Sequence, residues 1–527
     1  MPRPGASKLL HVGRRQPNMA TTPYFVLSPN TILSAFGLLR GSDRIEPTPR
    51  DNWRDARVDV IIPALNEASN IALCLAALKR QTMPPRKVVL VDDGSTDATV
   101  EVARAFCELH NIDLVTIKRR TPIGKTPTVK RQARELDSDV QFILDADTVL
   151  ESENYIARTV EELYKSAGVA SVCGTVLPLR ARDRRVWMQS DEIRALARKN
   201  ESLAPAARRW WDDWSRGVTN LYREVLYLYL QRFIYRGQCA FFGTIANPVG
   251  CAVAYRRQYV EDLFDHFTPR FGDNLTNSED IFIGFAMLDK GYRNVQLTDV
   301  YARTVEPPLH RLPRQVYLWS SSFLQSCYYF DPLVKSPLRG IRRALYGWLH
   351  SRPFRAAFQA PAAAAAGHGG TLGTAFPGSW APRPVVYRES IDEDAAPRDT
   401  SAGTPTRDRR RVAEPYRQAF GRERTLAYGR PAGWILLMSA MEKVFFPTTL
   451  IVLILLRNWD GLMLTVTAET AVGVAALVAV MKGKRLQYLV KGILAAPIRY
   501  AMMLSDTVTM GRFALDVWVR NDRRWRK

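Results

Sequence analysis

The chain has 527 residues, 46% of them hydrophobic, so it is long enough for two or more domains with a sizeable core. Its formal net charge is +22, and the basic residues cluster beside apolar segments and are not interleaved with aromatic side chains. This pattern predicts a membrane surface as the partner and excludes nucleic acid. The six cysteines contain no Cys-x-x-Cys pair, which predicts reduced, non-metal thiols in a cytosolic compartment.

The first 56 residues are predicted to be an N-terminal extension. The first twenty contain basic residues but no apolar h-region, so a signal peptide is not indicated. Residues 24–39 are mildly apolar and are interrupted by Pro29. We therefore expect this segment to lie at a membrane interface and not to span the bilayer.

From residue 57 onward, short β-branched runs alternate with helical patterns. Strands are predicted over Val58–Ile62, Lys87–Val91, Asp113–Ile117 and Phe142–Leu144, and helices over Asn66–Arg80, Ala98–Leu109 and Val129–Leu136. This βαβα alternation predicts a parallel sheet covered by helices on both faces. No Gly-x-Gly-x-x-Gly follows the first strand, so a dinucleotide site is not indicated.

Acidic side chains follow three of the predicted strands. They are Glu67 in Pro63-Ala-Leu-Asn-Glu67, Asp92 and Asp93 in Asp92-Asp-Gly-Ser-Thr-Asp97, and Asp145 and Asp147 after the strand that begins at Gln141. The carboxyl ends of parallel strands are where open α/β sheets bind ligands. Two carboxylates at the spacing of Asp145 and Asp147 can hold one Mg²⁺ or Mn²⁺ ion, which would neutralise a diphosphate.

Two of these motifs also have a purely structural interpretation. Asp93 fits a turn that leads into a helix cap. Lys125, in Gly124-Lys125-Thr126 before a basic helix, would be either a solvated loop residue or a phosphate contact.

Taken in this order, the motifs resemble the nucleotide-binding half of the family 2 glycosyltransferases. The resemblance implies an α/β domain of the GT-A fold, which is a Rossmann-like nucleotide-sugar-binding domain, over residues 57–330. The nucleotide-sugar-binding residues that it implies are Pro63, Glu67, Asp92, Asp93, Lys125 and Asp145. Asp93 would contact uridine, and Asp147, with Asp145 beside it, would bind the metal.

A second group of motifs resembles the acceptor side of the hyaluronan, chitin, nodulation-oligosaccharide and cellulose synthases. A small-residue turn containing Gly250 precedes a strand that ends in Tyr255-Arg-Arg, and Gln315 and Trp319 match the Gln-x-x-Arg-Trp motif. The resemblance implies that these four residues bind the acceptor, although Trp319 also fits a core position.

The arginine of the Gln-x-x-Arg-Trp motif is replaced by Leu318. In the family this arginine helps to hold the donor diphosphate, which leucine cannot do. Either Arg311 or Arg314 substitutes for it from a neighbouring turn, or the activity is altered or lost.

The stretch from Gly272 to Asp280 carries three acids ahead of a predicted helix. Ser278 can cap that helix, and Glu279 and Asp280 would stabilise its positive end, which explains them without catalysis. The resemblance implies a catalytic acidic pair in which Asp280 is the general base. Asp273 is the alternative base, because Gly272-Asp-Asn-Leu-Thr partly matches a hyaluronan synthase pattern.

The C-terminal part is predicted to be an α-helical membrane segment. The ranges are an amphipathic surface or interface helix at 331–359, a disordered Ala/Gly/Pro/Arg-rich linker at 360–432, and a membrane segment at 433–527, with spans at 433–456 and 462–481 and an interfacial or re-entrant stretch at 486–519. Glu442, Lys443 and Glu469 lie within the spans and are expected to face a partner helix or a polar conduit. The basic run from Met481 to Arg485 predicts a cytoplasmic catalytic domain.

The resemblance implies an inverting hexosyltransferase of the cytoplasmic membrane that uses Mg²⁺ or Mn²⁺ and extends a β-linked polysaccharide from a UDP-sugar. The expected partners are the donor, a glycan acceptor, the bilayer and export proteins. One alternative is a non-processive enzyme that glycosylates a polyprenyl phosphate. The other is a catalytically silent subunit, which Leu318 favours because catalysis suffers more than binding from a lost transition-state contact.

Overall fold

The structure is a computed structural model. It describes residues 28–40, 53–165, 168–205, 210–265, 267, 276, 278–349 and 431–520. Asp273 and nearly all of the predicted linker lie outside the described residues, and so does the part of the predicted interface helix beyond residue 349.

The described strands form one mixed sheet in the order β3-β2-β1-β4-β7-β6-β8-β5. Their bounds are β1 Val58–Ala64, β2 Lys87–Asp92, β3 Leu114–Lys118, β4 Val140–Leu144, β5 Thr148–Leu150, β6 Val169–Pro178, β7 Ala252–Arg256 and β8 Arg293–Thr304. β1 to β4 are parallel, as predicted, but β7 runs antiparallel to β4 and β6. β7 starts beside the carboxyl end of β4, which brings the turn at Gly250 to the edge that carries Asp145.

Helices cover both faces of this sheet and continue into the C-terminal part of the chain. Their bounds are α1 Pro29–Arg40, α2 Ile71–Lys79, α3 Thr99–His110, α4 Lys125–Glu135, α5 Tyr155–Leu163, α6 Ala181–Met188, α7 Asp191–Lys199, α8 Trp210–Leu228, α9 Arg236–Phe242, α10 Arg257–Val260, α11 Glu279–Asp289, α12 Leu312–Tyr329, α13 Asp331–Val334, α14 Ser336–Leu349, α15 Pro431–Leu455, α16 Trp459–Val480 and α17 Arg485–Ala514. A π-helical segment, Tyr229–Tyr235, joins α8 to α9.

Alternation along the strands divides the core into two layers. Val60 and Ile62 pack into the layer with α2, α3 and α5, whereas Ile61 between them packs into the layer with α4 and α11. Successive side chains of a strand point to opposite faces, so a strand buried on both faces needs an unbroken apolar run. The second layer also contains Ile435 and Leu436 of α15, so the C-terminal segment shares a core with the sheet domain.

Two helices begin at positions that differ from the prediction. α2 begins at Ile71 and not at Asn66, because Asn66 has a positive φ of 58° and is hydrogen-bonded to the turn after β2. α4 begins at Lys125, four residues before the predicted start, and Gly124 precedes it at a φ of 93°, where a side chain would be strained. Lys125 therefore lies in a helical first turn and not in a loop.

Two helices of the C-terminal segment are long and apolar enough to cross a membrane. They cover Ala432–Leu455 and Trp459–Val480, and only 28% and 17% of their most apolar stretches are buried within the protein. α17 covers almost all of the stretch that was expected to be interfacial or re-entrant, and it packs against α8, α12 and α16.

The charged side chains within these helices have polar partners on other helices. Glu442 accepts a hydrogen bond from Asn30 of α1, Lys443 donates one to Ser320 of α12, and Glu469 pairs with Arg499 of α17. Such pairing is the usual condition for an ionisable group at membrane depth.

α1 is docked on the protein along one face. Gly37 of α1 and Gly237 of α9 approach so closely that a Cβ on Gly37 would lie 2.2 Å from the Gly237 carbonyl oxygen. Ile32, Phe36 and Leu39 remain exposed on the opposite face. This leaves an apolar stripe suited to a membrane interface.

Candidate active site

A cavity of about 510 Å³ lies at the carboxyl edge of β4, beside the start of β7. Its wall combines the loop after β4, the first turns of α4 and α11, the segment after β8, one face of α12 and one residue of α15. Of the predicted site residues, it brings together Lys125, Asp145, Asp147, Gly250, Glu279, Asp280, Gln315 and Trp319.

Lys125 connects three parts of this wall. Its ammonium lies 2.7 Å from the Asp145 carboxylate and 2.8 Å from that of Glu279, and it donates a hydrogen bond to the Gly250 carbonyl at 3.1 Å. Burial lowers the pKa of Lys125, but the two carboxylates outweigh burial and hold the pKa above its usual range. Lys125 is therefore a fixed positive charge inside the cavity.

Asp147 has no ion-pair partner among the described residues, and its carboxylate accepts only long hydrogen bonds, from the Thr148 and Thr304 hydroxyls. Burial raises its pKa, and Glu67, Asp145 and Glu306 raise it further by repulsion. A hard divalent cation prefers carboxylate oxygens and would relieve this repulsion, so Asp145 and Asp147 fit such an ion. The described residues hold no preformed cluster of three metal-binding side chains.

Asp280 lies in the first turn of α11, where one carboxylate accepts several hydrogen bonds. The Gly250 amide donates to it at 3.1 Å, the Ile281 amide at 2.9 Å, and the Ser278 hydroxyl donates as well. Burial and then repulsion from Glu279 raise the pKa of Asp280 to about 6. A fixed carboxylate with this pKa suits a general base near neutral pH.

The position of Asp280 explains why residue 250 is glycine. A Cβ at this position would lie 2.7 Å from the Asp280 carboxylate. The resemblance implies that Gly250 binds the acceptor, but the group that lies against the space of its missing side chain is the carboxylate of Asp280, the predicted base.

Gln315, Leu318 and Trp319 of α12 line the cavity, and a residue that the sequence did not indicate lies behind them. Arg223 of α8 is fully buried, donates a hydrogen bond to Gln315 Oε1 at 2.7 Å, and lies over the Trp319 ring at 4.3 Å. Its Nε is also 3.5 Å from the carboxylate of Glu306. The structure thus places a cation against both residues of the motif whose own arginine is missing.

Neither arginine that was suggested as a substitute takes this position. Arg311 and Arg314 are exposed and do not line the cavity. Arg216 of α8 lies closer to the site, since it donates to the Glu306 carbonyl and is near enough to Asp147 for their charges to interact. No local pattern could have indicated Arg216 or Arg223, because each meets its partners across about 90 residues of chain.

The acids after β1 and β2 lie beside the cavity and do not line it. Asp93 accepts hydrogen bonds from Arg119 at 2.9 Å and from the amides of Ile123 and Gly124 at 2.9 and 2.7 Å, so it fixes the loop that leads into α4. Asp92 is fully buried and accepts from the Ser95 amide. These contacts are structural, but they hold the loop before α4 and do not cap α3, whose N-cap residue is Ala98. The uridine contact stays a prediction.

Two other predicted residues also lie away from the cavity. Pro63 lies in β1, next to its last residue Ala64, and Glu67 in the loop that follows accepts a hydrogen bond from Asn70. Tyr255 is only 1% exposed and packs in the core behind the site, so the fold gives it no surface on the cavity.

Comparison with known proteins identifies the domain that carries this site. Residues 59–264 match the model of Glycosyl transferase family 2. The N-acetylglucosaminyltransferase of Azorhizobium caulinodans is 26% identical over 291 residues, which are 53% of this chain and 61% of that protein. The O-antigen chain rhamnosyltransferase RfbN of Salmonella typhimurium is 32% identical over 122 residues, 23% of this chain and 38% of that protein.

A solved structure is similar over a longer range. This is the mannosyltransferase PcManGT from Pyrobaculum calidifontis in complex with GDP-Man and Mn²⁺. The superposition covers 93% of this chain and 95% of that chain, with 16% sequence identity and a TM-score of 0.43. The chain spans about three-fifths or less of the length of the two curated relatives named above. Residues 59–264 thus match the family 2 glycosyltransferase model, and the mixed sheet with the Asp145/Asp147 edge gives this part of the chain the GT-A fold.

Proposed function

We propose that this protein is a membrane-bound, inverting hexosyltransferase that transfers sugar from a UDP-sugar to a growing β-linked polysaccharide. The observation that carries the proposal is that a carboxylate pair suited to a cation, a fixed base and an acceptor-type motif line one cavity. These are Asp145 with Asp147, Asp280, and Gln315 with Trp319.

The geometry supports a single displacement. A divalent cation, Mg²⁺ or Mn²⁺, held by Asp145 and Asp147 would neutralise the diphosphate of the leaving nucleotide. Asp280 accepts the proton of the acceptor hydroxyl while that oxygen bonds to the anomeric carbon and the bond to the diphosphate oxygen breaks. Lys125 links the two halves of the site, because it contacts Asp145 on one side and Glu279 on the other.

The membrane segment supports a location in the cytoplasmic membrane. Lys482 and Lys484 lie between α16 and α17, and Arg485 begins α17. By the positive-inside rule, these charges support a cytoplasmic position for this turn and for the catalytic domain. Lys443 of α15 lines the same cavity as Asp280. A cavity bounded by a membrane helix favours export of the product across the bilayer, with the help of partner proteins.

The test is release of the nucleotide diphosphate by the detergent-purified full chain. Mn²⁺ is supplied with UDP-glucose, UDP-GlcNAc, UDP-glucuronate, UDP-galactose or GDP-mannose, and high-mass glycan is measured in parallel. We expect turnover with a UDP-sugar that is lost in Asp280→Asn and kept in Asp289→Asn, which removes a carboxylate from the other end of α11. Turnover with GDP-mannose alone would overturn the choice of donor.

Two outcomes would favour the alternatives. A product that partitions into organic solvent when polyprenyl phosphate is supplied would indicate a lipid-linked acceptor, which the approach of the cavity to α15 makes reasonable. Binding of UDP without turnover with any donor would indicate a silent subunit, consistent with Leu318.

A further inference from the structure

Glu306 is a buried acid that lines the cavity and that the reaction described above does not use. It follows β8, is 2% exposed, and forms part of the wall between Thr304 and Gln315. Its carboxylate is paired with Arg223 at 3.5 Å, and the Tyr227 hydroxyl, which also lines the cavity, acts on it as a hydrogen-bond donor. A carboxylate accepts up to about four hydrogen bonds, so these two partners leave room for a ligand that donates to it.

Arg223 holds this carboxylate in place without lining the cavity itself. Its guanidinium is 3.5 Å from Glu306, donates to Gln315, and covers one face of the Trp319 ring. Trp319 is still 36% exposed, so part of the ring faces open space. One buried cation thus sets the positions of three side chains of the wall.

We propose that Glu306 is a sugar-binding carboxylate that selects an uncharged pyranose ring, and that Arg223 is the positioning residue that holds it beside Trp319. A carboxylate only accepts hydrogen bonds, and sugar hydroxyls are donors of the right kind. A uronate ring would bring a second negative charge to the same buried wall, which already carries Asp147 and Asp280. The selectivity therefore comes from repulsion as well as from attraction.

The inference names the substrate class of the proposed transferase and so rests on that function, but its test needs no turnover. Binding of cellohexaose and of a mannuronate hexamer to the detergent-purified full chain is measured by saturation-transfer difference NMR. We expect cellohexaose to bind at least about tenfold more tightly than the mannuronate hexamer. Glu306→Gln should weaken the binding of cellohexaose about tenfold and reduce the ratio of the two affinities. Glu101→Gln, which removes a charge from the exposed face of α3, is the matched control and should change neither value.

The same titration with UDP-glucose and UDP-glucuronate tells whose ring lies against Glu306. A change in hexamer affinity assigns the ring to the acceptor, and a change in UDP-glucose affinity assigns it to the donor. Unchanged affinities for every sugar in Glu306→Gln, with Trp319→Ala still weakening one of them, would overturn the proposal. Loss of nucleotide release with intact sugar selectivity would instead count against the proposed transferase alone.

Arg223 is tested by its effect on selectivity. Arg223→Met should reduce the preference for cellohexaose over the mannuronate hexamer, as Glu306→Gln does. The double variant should show no greater loss of this preference than either single variant, because both changes act on the same contact. Arg223→Lys keeps the charge and should restore part of the preference. Additive losses in the double variant would show that Arg223 does not act through Glu306. If Arg223→Met does not fold, Arg223→Lys is used in its place. An unchanged preference for cellohexaose in both Arg223→Lys and Glu306→Gln would refute sugar binding by Glu306 and its positioning by Arg223.

Discussion

The sharpest prediction concerns Asp280 and the dependence of transfer on pH. A base must be ionised to accept a proton, and the pKa of this carboxylate is raised to about 6. For a group with that pKa, the ionised fraction falls from roughly 0.9 at pH 7 to roughly 0.1 at pH 5, so kcat/KM should fall about tenfold over this interval. Asp280→Asn should lower the rate by about 10²–10⁴-fold and abolish this acid limb.

Two neighbouring substitutions should move the midpoint of that limb in opposite directions. Repulsion from Glu279 raises the pKa of Asp280, so Glu279→Gln should shift the midpoint to lower pH. The Ser278 hydroxyl stabilises the ionised form, so Ser278→Ala should shift it to higher pH. Each variant keeps the base, and the midpoint is compared instead of the maximal rate.

Initial rates of nucleotide release at constant ionic strength, from pH 4.5 to about 8.5, provide the assay. Thermal melting at each pH checks that the protein stays folded. The reasoning would be refuted if Asp280→Asn kept more than about a tenth of the wild-type rate, or if the acid limb stayed in place in both neighbouring variants.

Three further predictions follow from the described contacts. Chelation by EDTA should stop transfer, and Mn²⁺ should restore it. Asp147→Asn should weaken Mn²⁺ binding, measured by electron paramagnetic resonance, by about tenfold or more. Equal Mn²⁺ affinity in the variant and the wild type would contradict the metal site. Gly250→Ala should displace the Asp280 carboxylate, which a Cβ would approach to 2.7 Å, and lower the rate while costing about 1–3 kcal/mol of stability. Arg499→Leu should destabilise the protein by about 3 kcal/mol, because Glu469 loses its cationic partner and keeps a hydrogen bond from the neutral Tyr500 hydroxyl, and adding Glu469→Leu should recover most of the melting temperature.

Local patterns were sufficient for the parallel strands β1 to β4 and for the position of Asp145 and Asp147 at the carboxyl end of β4, but not for β7, which is antiparallel. The apolar run that ends at Leu144 and the acids that follow it lie within seven residues, so one stretch of sequence specifies both the strand and the two carboxylates. The bounds of β1 to β3 also differ from the predicted bounds by at most two residues. The length of two apolar runs also indicated both apolar helices near the C-terminus.

Contacts between distant segments could not be predicted in this way. The Gly250 amide finds Asp280 across 30 residues, and Arg223 meets Gln315 across 92. An arginine in a helix has no sequence signature that distinguishes a buried positioning residue from a solvated one. Asp93 was expected to serve the turn before α3, whereas its partners Arg119, Ile123 and Gly124 lie beyond β3, where the local motif could not indicate them.

Lys443 forms part of the cavity wall, so the cavity extends beyond residues 59–264, which match the family model. A fragment ending before residue 431 would keep Asp145, Asp147, Asp280 and α12, yet its cavity would lack the wall that Lys443 contributes. It would also uncover the apolar surface of Phe330 and Leu333, against which α15 packs. Dissecting this protein into a soluble enzyme and a passive anchor would therefore divide the enzyme itself.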